Sequence, residues 1–197
     1  MTRNVDYYRV DYYLAPTSPW TYLGHERFAQ IAKRRGAAVA VKPVDFGVIF
    51  PQSGGLPLGK RAPQRQAYRL MELARWRDFL GVPLNLQPKF FPADPVPAAC
   101  LICVAPQGRQ MAIAGDFLRA VWAEERNIAD SAVLAEIAAR HGIADAAAAI
   151  ARGKAIFDSN TQEALARQVF GAPTFACGDE LFWGQDRLDF LDRALAK

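Results

Sequence analysis

Histidine is nearly absent from this chain, with only His25 and His141 in 197 residues, and cysteine is scarce, with Cys100, Cys103 and Cys177. So small a set offers no cluster with metal-ligand spacing, and no metal is expected. An odd cysteine count, with no apolar core of a signal peptide in residues 1–6, argues against a disulfide framework and for a cytoplasmic setting. Long apolar runs are missing too; none approaches the length that crosses a bilayer, so no membrane partner is expected. Nor is charge of one sign in large excess. The 24 Lys and Arg against 20 Asp and Glu leave a net charge of +4, and the charges are scattered. Without a basic stripe interleaved with aromatics, nucleic acid is excluded and a small anionic ligand fits better. Internal repeats are lacking, and the only biased tract is the alanine-rich run at 144–151.

What is present is apolar material for a packed core: 51% of residues are hydrophobic and 22% charged. The length suits one domain, or one domain carrying a large insertion. Residues 7–14, aromatic-rich and extended, predict a strand. Ser18 is a good N-cap and Pro19 fits the first helical position, so a helix is expected over 19–35, with Lys33, Arg34 and Arg35 at its negative end and Gly36 ending it. Residues 39–46 predict a second strand, parallel to the first through a right-handed crossover. The Gly/Pro-rich stretch 50–59 reads as a long loop. Helical patterning follows at 63–80, 95–105, 108–124, 130–141, 143–152 and 158–170, with breaks at 81–83 and 91–95. Strands at 174–177 and 181–183 flank Gly178-Asp179-Glu180 as a hairpin, and a last amphipathic helix spans 187–196. The order is strand–helix–strand, helical insertion, strand–strand–helix. That is an α/β, thioredoxin-like fold with a large all-helical insertion. Its thioredoxin-like part is residues 1–58 plus 168–197, and the insertion is 59–167.

The segment Ala15-Pro16-Thr17-Ser18-Pro19-Trp20 leaves a strand and opens a helix. A helix N-terminus carries partial positive charge and free N–H groups, and the Ser18 hydroxyl adds a donor; together they suit an anion. Gly171-Ala172-Pro173-Thr174 supplies the matching loop far downstream. With serine at the position of a redox cysteine, such a site exchanges no disulfides and suits a thiolate brought from outside. Read from the residues alone, Ser18 is equally an ordinary cap, Pro173 an ordinary strand start, Asp186 a helix cap and Trp122 a core aromatic. The Cys100-Leu101-Ile102-Cys103 spacing is tempting as a redox motif. It falls inside the helical insertion, where paired cysteines are packing residues rather than a thiolate at a helix N-terminus.

These stretches resemble the family of 2-hydroxychromene-2-carboxylate isomerases and kappa-class glutathione transferases over nearly the full chain. The resemblance is carried by Ser18-Pro19-Trp20-Thr21-Tyr22-Leu23-Gly24, by Leu56-Pro57 with the basic stretch after it, by Val169-Phe170-Gly171-Ala172-Pro173-Thr174, and by Phe182-Trp183-Gly184-Gln185-Asp186-Arg187-Leu188. Ala120-Val121-Trp122 and Leu181-Phe182-Trp183-Gly184 are closer to the isomerase branch. The resemblance implies a glutathione-dependent isomerase of aromatic catabolism, usually a homodimer, acting on a small anionic aromatic substrate. It implies that Ser18 keeps the glutathione sulfur ionised and that Pro173 is cis, exposing the backbone of Ala172. Gln185 and Asp186 are expected to hold the γ-glutamyl end. A basic residue among Lys60, Arg61 and Arg65 meets a carboxylate, with Arg65 aligned to the family's lysine. Trp122, with Trp20 and Tyr22, is expected to line the substrate pocket. The family's asparagine in the preceding loop has no counterpart among Ser53, Gly54 and Gly55. A conjugating transferase of the kappa type and a non-catalytic peptide or small-acid binding module are the alternatives.

Overall fold

The computed structural model describes residues 9–196, so the readings made for residues 1–8 lie outside the described residues. The chain runs β1 (Arg9–Leu14), α1 (Pro19–Arg35), β2 (Ala38–Pro43), α2 (Phe46–Ser53), α3 (Pro63–Leu80), α4 (Val96–Val104), α5 (Gln110–Trp122), α6 (Ser131–Arg140), α7 (Ala146–Ala166), β3 (Thr174–Cys177), β4 (Glu180–Trp183) and α8 (Leu188–Leu195). Short 3-10 turns sit at Leu58–Lys60 and Gln185–Arg187. The sheet order is β2-β1-β3-β4; β1 and β2 are parallel, and the other two pairings are antiparallel.

Local chemistry explains most boundaries. Ser18 caps α1, Pro19 opens it, and Gly36 at φ 64 ends it in the left-handed conformation. Asp130 and Asp145 cap α6 and α7 through their side chains. β1 is buried along almost its whole length, because helices cover both of its faces. Val10, Tyr12 and Leu14 join the main core with α1, α4 and α5, where the Tyr12 ring stacks on Phe175 at 5.1 Å and meets Phe28 at 4.9 Å. Tyr13 faces the opposite side, with Val44, Ile49 and Ala164. On the Tyr13 face Asp11 is buried but paired: Arg167 Nη1 lies at 2.9 Å and Lys42 Nζ at 3.3 Å, and Lys42 also reaches Glu163 at 2.5 Å. Arg9 Nε adds a third contact to Asp11 at 3.1 Å, so the charge is shared over a network that ties β1 to β2 and to the end of α7.

Four expectations change. The second strand stops at Pro43, because Asp45 caps α2 by accepting the Gly47 N–H at 2.7 Å. The stretch read as a loop from residue 50 is therefore helical up to Ser53, with Pro51 inside it. A proline so near the end of a two-turn helix removes only one bond, and burial of Ile49 offsets that loss. The separate helices at 143–152 and 158–170 are one helix, α7, which passes through Gly153 without a break. Gly153 is a packing residue: a Cβ there would lie 2.7 Å from the Cys100 carbonyl carbon. Finally, the C-terminal helix begins as the 3-10 turn Gln185–Arg187.

Candidate active site

Ser18 sits half-buried at the carboxyl end of β1, where the chain turns into α1. Its Oγ accepts the Thr21 N–H at 3.2 Å, and its own N–H donates to the Ala15 carbonyl at 3.0 Å. Among the described residues nothing accepts the hydroxyl proton, so it can be donated to a ligand. Pro19 has no N–H, and the Trp20 N–H has no partner among the described residues. The helix end thus offers two aimed donors and the positive end of a four-turn dipole.

The second loop comes to the same place by strand register. Tyr13 pairs with Thr174 in the antiparallel β1–β3 ladder, so continuing the register sets Ala172 beside Ala15. The Ala172–Pro173 peptide bond is cis, as the family resemblance implied. The Pro173 carbonyl accepts the Gly184 N–H at 2.8 Å, while neither the N–H nor the C=O of half-buried Ala172 bonds to any described residue. An extended peptide has one backbone donor and one acceptor to pair with there. Gly171 is required next to it, since a Cβ would run into the Trp183 indole.

The turn after β4 closes the third side. Gln185 is 2% exposed and its backbone crosses α1 at Gly24, where a Cβ would meet the Gln185 Cβ at 2.7 Å. Arg27 of α1 donates to the Gln185 carbonyl at 3.2 Å and to its Oε1 at 2.7 Å. The Gln185 side chain is thus engaged with α1, and what the turn presents is the backbone N–H groups of Gln185 and Asp186. Neither bonds to any described residue. The Asp186 carboxylate is exposed and pairs with Arg187 at 2.8 Å.

The basic residues form a cluster. Lys60 ends a 3-10 turn; Arg61 is held by its Nε donating to the Leu56 carbonyl at 2.8 Å; Arg65 is exposed in the first turn of α3. Burial, then the neighbouring charge of Arg65, lowers the Arg61 pKa. One turn beyond Arg65 lies Arg69, which the sequence reading missed. Its guanidinium lies 5.4 Å from the Phe91 ring centroid and 5.7 Å from that of Trp122. Burial, then the charge of Arg61, brings its pKa down to about 10. The signal was available in part in the four-residue spacing of Arg65 and Arg69, which places them one turn apart on the same face of α3.

Trp122, expected at the pocket, is instead 0% exposed; its ring lies 4.9 Å from Phe91 and its Nε1 has no partner among the described residues. Trp20 and Tyr22 are half-buried against the same core. The Tyr22 hydroxyl donates to the Pro83 carbonyl at 2.6 Å, and the Asn85 N–H donates to the Trp122 carbonyl at 2.7 Å. The stretch after α3 therefore runs from the first turn of α1 to Trp122. Tyr22 also lines a groove of about 460 Å³ between α1 and α5.

The sulfur of the chain is elsewhere. Cys100 and Cys103 lie in α4, where burial raises both thiol pKa values, that of Cys103 to about 12. His25 is inside, its Nε2–H donating to the Met111 carbonyl at 3.0 Å, so its Nδ1 accepts the Tyr12 hydroxyl at 3.1 Å. His141 lies against Asp116 at 2.9 Å. Among the described residues no three His, Cys, Asp or Glu side chains are grouped to hold a metal ion, and no helix is long and apolar enough to cross a membrane.

A four-stranded thioredoxin sheet with a serine-capped helix at one loop and a cis-proline at the facing loop defines the class. The chain belongs to the DsbA-like thioredoxin domain family, whose model matches residues 9–196. It is 28% identical over 195 residues to 2-hydroxychromene-2-carboxylate isomerase of Sphingobium xenophagum, covering 94% of this chain and 97% of that one. It is 21% identical to glutathione S-transferase kappa 1 of Caenorhabditis elegans, over 93% of this chain and 88% of that one. Among solved structures, 2-hydroxychromene-2-carboxylate isomerase superposes with a TM-score of 0.80 at 25% identity, covering 95% of this chain and 94% of that one. The solved isomerase structure thus shares this chain's fold over nearly its whole length.

Proposed function

We propose that the protein is a glutathione-dependent isomerase of the 2-hydroxychromene-2-carboxylate type, acting on a small anionic aromatic substrate. The observation that carries this reading is the Ser18 hydroxyl at the open N-terminus of α1, facing a cis-proline loop whose Ala172 backbone has no partner among the described residues. The residues present fit the tripeptide. Ala172 offers one N–H and one C=O to an extended backbone. The N–H groups of Gln185 and Asp186 suit the γ-glutamyl carboxylate, the Asp186 carboxylate suits its ammonium, and Arg65 suits the glycyl carboxylate.

Bound glutathione supplies a thiolate that adds reversibly to a conjugated carbon, so that a double bond is single long enough to rotate. The chain's part is electrostatic and geometric. Ser18 donates its hydroxyl proton to the sulfur, and the α1 terminus adds positive potential; both favour the ionised form. Trp20 and Tyr22 shield that sulfur from water on the α1 side, and the two loops fix its direction of attack.

The test is the thiol pKa of bound glutathione, followed by its ultraviolet thiolate band. It is expected to fall well below its solution value in the native protein. In Ser18→Ala it should rise by about one unit, because a hydrogen bond to a charged group is worth roughly 1.5–3 kcal/mol. Glutathione that keeps its solution acidity when bound overturns the reading. The similarity to a kappa glutathione transferase favours a second reading, permanent conjugation. Product analysis separates the two: glutathione recovered unchanged marks the isomerase.

A further inference from the structure

Beyond the effect of burial, the charge of Arg65 lowers the Arg61 pKa and that of Arg61 lowers the Arg69 pKa, and none of the three pairs with a carboxylate among the described residues. The innermost of them, Arg69, has a buried Nη2 with no hydrogen-bond partner among the described residues, and Trp122 beside it has a buried Nε1 in the same condition. An unmet buried donor costs about 1–3 kcal/mol, and a charged one more. Two such donors at one contact are explained by an acceptor that comes from outside. The surroundings specify its shape. The guanidinium lies against the Phe91 and Trp122 rings; Trp122 is 0% exposed, whereas Arg69 and Phe91 are half-buried, so a flat aromatic body would meet the pair from the Phe91 side.

We propose that Arg69, with the indole N–H of Trp122, receives the carboxylate of an aromatic acid, while Arg61 and Arg65 raise the positive potential around it. That this acid is the substrate rests on the isomerase reading; that the site takes aromatic carboxylates does not. The site adjoins the Ser18 end of α1 through the connection after α3. The Tyr22 hydroxyl, one turn from Ser18, holds Pro83, and Asn85 two residues on holds the Trp122 carbonyl. An acid anchored at Arg69 by its carboxylate would extend its ring system along Phe91, away from the charge. Arg69 therefore selects aromatic acids over their neutral analogues without touching glutathione.

The experiment titrates the full-length protein with three probes: salicylate, its neutral amide and acetate, following affinity and the Trp122 indole N–H resonance. Salicylate is expected to bind at least about tenfold more tightly than either other probe, since a charge-assisted pair is worth that much, and to shift the Trp122 signal. Arg69→Leu should abolish the preference for salicylate over the amide, and Arg69→Lys should restore part of it. Both variants should keep native glutathione affinity. Equal binding of salicylate and its amide, a preference that survives Arg69→Leu, or acetate binding as tightly as salicylate overturns the proposal. If the leucine variant does not fold, the probe preference and the Trp122 shift of the native protein decide. Salicylate discrimination without any glutathione binding would leave this site standing and remove the isomerase reading instead.

Discussion

The α1 terminus and the α4 helix both carry pieces of thiol chemistry, in opposite arrangements. At α1 the side chain is a serine, which has no sulfur, yet the surroundings favour an anion: a helix N-terminus, a free hydroxyl proton and an unbonded Trp20 N–H. In α4 the sulfurs are present, at Cys100 and Cys103, but the surroundings oppose an anion. Burial raises both thiols, and the Asn160 amide contact to Cys103 at 3.6 Å does not offset it. The same two-cysteine spacing that marks a redox pair at a helix N-terminus is packing material in a buried helix. Placement decides whether a sulfur ionises; residue type alone does not.

The strongest way to break the comparison is to open the wall around α4. Gly153→Ala sets a methyl group against the Cys100 carbonyl, and backbone cannot yield as a side chain can. A loss of about 3 kcal/mol or more is expected in a denaturant titration. Next in size, Ser18→Cys puts a sulfur where the field is favourable. At neutral pH iodoacetamide should modify position 18 at least about ten times faster than Cys100 or Cys103, read by peptide mapping, because thiols at helix N-termini are shifted well below 8.5. Equal rates would mean that the α1 terminus confers nothing.

The smallest effect tests the anchoring of α1 on α5. Burial lowers the His25 pKa from 6.5, against a weaker raising influence of the Met111 carbonyl and of Glu26. The unfolded chain therefore binds a proton more readily than the folded one. The associated stability is full above pH 6.5 and is lost as pH falls from there toward the folded value. His25→Gln, whose amide supplies both a donor and an acceptor but does not titrate, should flatten the fall in urea midpoint as pH drops below about 6.5.

Much of the layout was legible because its punctuation is local. Pro19, Gly36, Pro63 and Gly81 mark helix ends by backbone chemistry, and the motif around Ser18 needs only its neighbours to be read. What escaped depends on distant contacts. α2 was hidden by Pro51 and two glycines, and it forms because Ile49 is buried beneath it. α7 looked interrupted because Gly153 reads as a breaker until the Cys100 backbone is seen against it. His25 showed in the sequence only as one of two scattered histidines, and the fold brings Tyr12 and Met111 to its two nitrogens. Arg69 looked like one more scattered charge until Phe91 and Trp122 closed around it.

The serine cap has a consequence for life under oxidants. A hydroxyl cannot climb from sulfenic to sulfonic acid or be trapped as a mixed disulfide, and in α4 Cys100 is buried and Cys103 half-buried, where burial raises both thiol pKa values and so disfavours the reactive thiolate. The catalytic pocket proposed here has no oxidised form of its own to be rescued from. Any oxidative damage falls on the borrowed sulfur, which leaves and is replaced.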